Sequence, residues 1–88
     1  MNIVTFERQL RRDVGLMHVA STSDPNELVR MLTEDGLPKI VHNAAAGKLI
    51  DLYAEDRERC SVGHLLALCQ CADDRYVKRA RELAGAIA

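Results

Sequence analysis

Apolar residues recur at intervals of three and four along most of the chain, the spacing that places side chains on one face of an α-helix. This spacing predicts six amphipathic helices, and no segment alternates polar and apolar residues over a length that would indicate a strand. On the first predicted helix, over residues 5–19, the inward residues are Phe6, Leu10, Val14 and Met17. The inward residues of the other five are Leu28, Met31 and Leu32; Ile40, Val41 and Ala44; Leu49, Ile50, Leu52 and Tyr53; Leu65, Leu66, Leu68 and Cys69; and Tyr76, Ala80, Leu83 and Ile87.

Helix boundaries are indicated by capping residues and glycines. Asp24-Pro25 has the form of an N-cap followed by proline at the first helical position, and Glu27 is placed to complete a capping box. Gly36 suits the turn after this second helix. Gly15 predicts a bend or break in the first helix, and Gly47 predicts a change of direction between a third helix, 38–46, and a fourth.

The fold class that follows is all-α, a compact antiparallel six-helix bundle that occupies residues 1–88 as a single domain. Eighty-eight residues, 48% of them hydrophobic, suit one small core. The fifth predicted helix is apolar enough to lie at the centre of the bundle. The last two helices begin at Ser61 and at Asp73 or Asp74.

Charge and cysteine content restrict the function classes. With 12 basic and 13 acidic side chains the net charge is −1, so no general attraction to nucleic acid or to an anionic membrane is expected. No apolar run approaches the roughly 20 residues of a membrane span, and the N-terminus does not resemble a signal peptide. The three cysteines, an odd number, predict free thiols and a cytoplasmic protein.

Three segments resemble the caspase-recruitment (CARD) branch of the death-fold superfamily. Asp24-Pro25-x-x-Leu28-x-x-x-Leu32-x-x-x-Gly36-Leu37 is similar to the second helix and following turn of that family. Residues 48–52 resemble its fourth helix, and residues 64–68 with 73–83 resemble its fifth and sixth. Divergent members in bacterial defence systems are similar as well. The resemblance implies a six-helix antiparallel bundle with a kinked or broken first helix.

The resemblance also implies a function, which is homotypic association through complementary charged faces to recruit or regulate an effector, such as a protease, in a cell-death or defence pathway. On the first helix, basic residues at spacings of three and four share one exposed side. Acidic residues on the second helix and its turn offer the opposite sign, which predicts a head-to-tail contact able to propagate. The candidate contact residues are Arg8, Arg11 and Arg12, then Glu27, Glu34 and Asp35, with Arg57 and Arg59 in a mixed-charge rim.

Other interpretations of the same residues stay open at this point. The charged clusters are also what any small bundle exposes for solubility. Cys60, His64, Cys69 and Cys71 have the spacing of a metal set, although Cys69 falls on an apolar stripe. The pair Cys60 and His64 would be the only close nucleophile and base, and a domain this small offers little room for a substrate cleft. We predict no enzyme activity, no metal and no cofactor.

Two further functions remain as alternatives to self-association. Basic residues on the last predicted helix would suit a small helix-turn-helix regulator that binds DNA. These residues are Arg75, Lys78, Arg79 and Arg81. A small inhibitor that masks the surface of a partner protein would need no special motif.

Overall fold

The computed structural model describes residues 3–85, and all of the regular secondary structure in that range is helical. The predicted all-α class is therefore confirmed. In chain order the helices are α1 (Ile3–Ser21), α2 (Pro25–Thr33), α3 (Lys39–Glu55), α4 (Val62–Cys71) and α5 (Asp74–Gly85). Ile87, which was predicted as a core residue, lies outside the described residues.

Helix α3 is the centre of the fold and packs against each of the other four helices. The prediction divided this segment in two at Gly47, whereas the structure contains one uninterrupted helix. The described range thus has five helices in place of the predicted six. A continuous row of side chains that includes Val41, Ala45 and Leu49 is fully buried along α3. Its burial outweighs the cost of about 1 kcal/mol that a glycine imposes within a helix.

Helix α1 is also continuous at Gly15, where a bend or break was predicted. A Cβ added to Gly15 would lie 2.8 Å from both Cγ atoms of Val41 on α3. The absence of a side chain therefore permits a close approach of the two helices. Lys48 Nζ of α3 also donates a hydrogen bond to the carbonyl oxygen of Ala20, at 2.8 Å. Gly15 therefore allows α1 to pack closely on α3 and does not bend α1.

The start of α2 follows the prediction in part. The Asn26 N–H donates to Asp24 Oδ1 at 3.0 Å, and Pro25 is the first residue of the helix. The N–H of Asp24, however, donates to Thr22 Oγ1 at 3.3 Å. The predicted capping box is not formed, because the carboxylate of Glu27 has other partners, described below.

The start of α4 is linked to the start of α2 through the ring of His64. The Ser61 N–H donates to His64 Nδ1 at 3.0 Å, which places the ring proton on Nε2. This Nε2 lies 2.8 Å from Asn26 Oδ1 and donates to it. The His64 ring thus caps the start of α4 and connects it to a side chain in the first turn of α2.

The core combines side chains from all five helices. The residues predicted inward on α2 are buried, as are three of the four predicted for residues 49–53. Outside α1, the predicted core residues Leu66 and Ile40 are instead 60% and 52% exposed. The centre of the core belongs to α3 and not to the fifth predicted helix. Its largest fully buried side chains are Tyr53, Leu28, Leu49, Ile50, Leu65 and Leu68.

Candidate interaction surface

Helix α1 presents its longest row of apolar side chains to solvent. Ile3, Phe6, Leu10, Val14 and Met17, which we call the apolar stripe, are 74%, 53%, 52%, 57% and 71% exposed. Four of them were predicted to face the core, and that prediction is wrong. The face that packs on α3 is the opposite one, where Gly15 and Val19 are buried.

The first twelve residues of α1 extend beyond the helical core. Every residue from Ile3 to Val14 is exposed, and Gly15 is the first buried position of the helix. The described chain is accordingly elongated, with principal extents of 52 × 24 × 15 Å. A helix of this length is marginally stable in water without tertiary contacts. The exposed half of α1 therefore contributes no buried residue to the described fold.

An apolar groove adjoins the stripe where α1 passes α2. Leu10 and Val14 form one wall, and Met31 and Leu37 form the other, around a volume of about 350 Å³. Arg11 lies at the same groove. The groove widens the apolar surface from a single helix face to a strip shared by two elements.

The three predicted basic contact residues lie together, as expected from their spacing. Arg8, Arg11 and Arg12 are exposed and line a depression of about 380 Å³ against the turn at Gly36 and Pro38. Gly36 occupies the left-handed region there, with φ of 88°.

These arginines differ in how far they are paired within the molecule. Arg12 Nε donates to the neighbouring Asp13 at 3.2 Å. Arg8 and Arg11 make no ion pair with another described residue. Two of the three cations are therefore available to a second molecule.

The predicted acidic residues are more engaged. Arg30 donates to Glu27 Oε1 from Nε at 2.9 Å and to Glu34 Oε2 from Nη1 at 3.2 Å. His18 Nε2 lies 3.0 Å from the same oxygen of Glu27. Asp35 is exposed in the turn after α2. Of the three acidic residues, two are paired inside the molecule.

The hydrogen bonds from Arg30, followed by the contact with His18, lower the pKa of the Glu27 carboxyl from 4.5 to about 2. The hydrogen bonds to Glu27, in turn, raise the pKa of the Arg30 guanidinium. Because the folded-state pKa of Glu27 is depressed, its stabilising contribution is present above pH 4.5 and is lost as the pH falls toward 2.

We expect the Glu27 carboxyl to titrate near pH 2 in the intact protein and closer to 4.5 after Arg30→Gln, which removes its principal partner. The measurement is a side-chain carboxyl titration by ¹³C NMR. Arg57→Gln removes an exposed arginine that does not contact Glu27, and it should leave the titration unchanged. A midpoint near 4.5 in the unmodified chain would show that the pair does not form in solution.

The basic and acidic sets do not lie on opposite sides of the molecule. Glu34 lines the apolar groove together with Arg11, and Asp35 adjoins the turn that faces the arginines. Basic residues of α1 and acidic residues at the end of α2 thus lie on the same part of the molecule. The head-to-tail contact stays a prediction, and the structure shows only that Arg11 and Glu34 lie at the same groove.

The two remaining predicted contact residues lie elsewhere. Arg59 lies beside residues 23–25, at the end of the molecule where α1 terminates, and its Nε is 3.9 Å from Asp56. The guanidinium of Arg57 stacks 5.7 Å from the ring centroid of Tyr53. The structure does not bring these arginines together with those of α1.

The cysteine and histidine set is dispersed. Cys60 is fully buried and its Sγ lies 3.8 Å from the carbonyl oxygen of Leu49. Burial raises the pKa of this thiol to about 11, which disfavours the thiolate that a nucleophile or a zinc ligand requires. Both ring nitrogens of His64 are bonded to Ser61 and Asn26. Between residues 3 and 85, no three His, Cys, Asp or Glu side chains are grouped closely enough to hold a metal ion.

The basic residues of the alternative DNA-binding interpretation are exposed on α5. Arg75 stacks on Tyr76 at 4.8 Å from its ring centroid. Lys78 and Arg81 border an open depression that also contains Asp74 and Glu82. The basic surface of α5 is therefore interrupted by acidic groups.

None of the described helices is long and apolar enough to cross a membrane. No protein-family model, curated protein sequence or solved structure matches the chain.

Proposed function

We propose that this chain is a protein-interaction module that self-associates, with α1 as its contact element. The observation that supports the proposal is the apolar stripe, five large side chains that are each more than half exposed on one helix face. Isolated exposed apolar residues are ordinary on protein surfaces, but a contiguous patch of several hundred Å² is typical of a binding site.

The energetics of the stripe favour a protein partner. Burial of a large apolar side chain stabilises a complex by about 1.5–3 kcal/mol relative to its exposed state. Every residue in the first twelve described positions of α1 is exposed, so a partner helix would stabilise both the surface and the conformation of this segment.

Arg11 lies at the groove beside the stripe, and it also lines the depression that contains Arg8 and Arg12. We assign these arginines to the polar part of the interface, outside its apolar centre. Arginine is enriched at such interfaces because its planar guanidinium binds carboxylates with two parallel hydrogen bonds. We assign Asp35 to the same polar part of the interface. Glu27 and Glu34 would join it by releasing Arg30 and pairing with a cation of the second molecule instead. We assign Arg57 and Arg59 to a second contact region, separate from α1, at the end of the molecule where α1 terminates.

The resemblance to caspase-recruitment domains supports the same class of function. In that family, self-association brings tethered effectors together, and we propose the corresponding adaptor or recruitment role for this chain in the cytoplasm. The proposal assigns no catalytic step, metal or cofactor to the chain. The family has six helices where the described residues form five, so the death-fold assignment depends on the three segments quoted above.

The proposal is tested by the oligomeric state measured by sedimentation velocity, over about 1 µM to 1 mM, the range of weak to moderate dissociation constants. We expect concentration-dependent association of the intact chain and its loss in Leu10→Asp, which places a charge at the middle of the stripe. Leu66→Asp is the matched control, because Leu66 is similarly exposed but lies on α4. Circular dichroism verifies that both variants retain their helix content.

A monomer at the highest concentration would contradict self-association. Strongly salt-dependent binding to duplex DNA by a monomeric chain would favour the DNA-binding alternative instead.

A further inference from the structure

We infer that the apolar stripe is covered by the same stripe of a second copy, with the two α1 helices antiparallel about a two-fold axis at Leu10. This inference rests on the proposed function and specifies its interface. The spacing of the stripe supports it. Relative to Leu10, Phe6 and Val14 lie four residues away on either side, and Ile3 and Met17 lie seven away.

A two-fold axis perpendicular to α1 exchanges positions at equal distances on the two sides of Leu10. Phe6 then faces Val14 of the second copy, and Ile3 faces Met17. The aromatic ring of Phe6 is then opposite Val14, the smallest side chain of the stripe, which suits interdigitated packing. Leu10 packs on its own symmetry mate.

The same operation brings one acidic and one basic residue beside the stripe near opposite charges of the second copy, while Arg11 also comes within two residues of its own symmetry mate in axial position. Glu7 and Arg11 lie one helical turn apart and flank the stripe on the same side. Antiparallel pairing brings the axial positions of Glu7 and of the second copy's Arg11 to within two residues, or about 3 Å. Both side chains are exposed, and neither is in an ion pair with another described residue. The operation forms two such pairs, one on each side of the axis.

The placement of the core also suits this arrangement. Helix α1 is attached to α3 from Gly15 onward, and its first twelve described residues are exposed. Antiparallel pairing about Leu10 places the two cores toward opposite ends of the helix pair. The presence of both signs of charge on the same part of each chain agrees with an isologous contact, in which one patch is its own partner.

The first test exchanges the charges. Glu7→Arg and Arg11→Glu should each raise the dimer dissociation constant about 5- to 50-fold, because each replaces two attractive pairs with two repulsive ones. The double variant Glu7→Arg/Arg11→Glu restores opposite charges and should return to within about threefold of the intact chain. Glu58→Arg, the same change at an exposed position outside α1, is the control and should have little effect.

The second test determines the direction of the helices by disulfide trapping in a Cys69→Ser/Cys71→Ser background. Mixing a Phe6→Cys chain with a Val14→Cys chain under mild oxidation should give the mixed dimer, because antiparallel pairing apposes these two positions. Homodimers of each variant alone would indicate parallel helices and overturn the inference. Absence of restoration in the charge-swapped double variant would do the same.

Failure of the charge-exchange or disulfide test can be distinguished from failure of the proposed self-association. An intact chain that dimerises while the charge or trapping test fails keeps self-association and loses only the antiparallel interface. An intact chain that stays monomeric overturns both, and leaves the stripe to a different protein or to another segment of a longer chain.

Discussion

Leu65→Ala is expected to lower the free energy of unfolding by about 2–5 kcal/mol, a large part of the roughly 5–15 kcal/mol available to a small domain. Leu65 is 2% exposed, so the substitution removes buried methyl groups and leaves a cavity. The identical change at the next residue, Leu66, is expected to cost less than about 0.5 kcal/mol, since that side chain is 60% exposed.

Urea denaturation of the two variants measures this difference directly, provided that the slope with denaturant is unchanged. Both substitutions are leucine to alanine in the same short helix, so intrinsic helix propensity cancels in the comparison. Similar losses from the two variants would mean that α4 is rotated about its axis relative to this structure.

Gly15→Ala and Gly47→Ala are expected to change stability in opposite directions, although both residues lie within helices. At Gly15 the new Cβ would be 2.8 Å from Val41, and the resulting overpacking should exceed the gain in helix propensity, for a net loss of about 1–2 kcal/mol. At Gly47 the nearest atom is 3.7 Å away, so Gly47→Ala should stabilise by about 0.5–1 kcal/mol.

A double-mutant cycle identifies the cause. Val41→Ala removes the methyl groups that an alanine at position 15 would meet, and Gly15→Ala/Val41→Ala should be about 1–2 kcal/mol more stable than the sum of the single changes. Thermal or urea unfolding of the four chains gives the coupling energy. Strict additivity would show that the contact between α1 and α3 is looser than described here.

The local chemistry of helix ends was predictable from the sequence because it is contained within a few neighbouring residues. Asp24 and Pro25 begin α2, and Ser61 precedes α4, as predicted. The capping box failed for a reason that is not local. Glu27 is within reach of His18, nine residues earlier in the chain, as well as Arg30, and these two side chains hold its carboxylate.

The glycines were misinterpreted because their role depends on what packs against them. A glycine in a helical pattern is compatible with a bend, with a close helix contact or with a tolerated defect. Gly15 is a close contact and Gly47 lies beside Tyr76, and both facts belong to tertiary structure. As a result, the sequence predicts two helices where α3 is continuous, and the predicted number of helices is too high.

The candidate surface could be located in the sequence but its orientation could not. Helix α1 has two apolar faces, the stripe centred on Leu10 and a smaller one that contains Gly15 and Val19. Periodicity alone favours the larger face as the core. The smaller face is the buried one because Gly15 lets α1 lie close to α3, which the spacing of apolar residues does not encode.

The pairing of Arg30 with Glu27 and Glu34 was present in the sequence as spacings of three and four on one helix. The same spacing is compatible with acidic residues that contact another molecule, so the sequence alone does not distinguish the two roles. The arginines of α1 lie together as their spacing predicts, and their role as contact residues stays a prediction.

The two sides of α1 are subject to different evolutionary constraints. Enlarging Gly15 disturbs the way the helix is held to its own chain, so substitution there is restricted by folding. The outer side contributes no residue to the buried core, so changes in it should be nearly neutral for the monomer, and under the proposed function they would alter what the monomer recognises. If the proposed function holds, binding preference could change by substitution on the outer side without a compensating loss of stability.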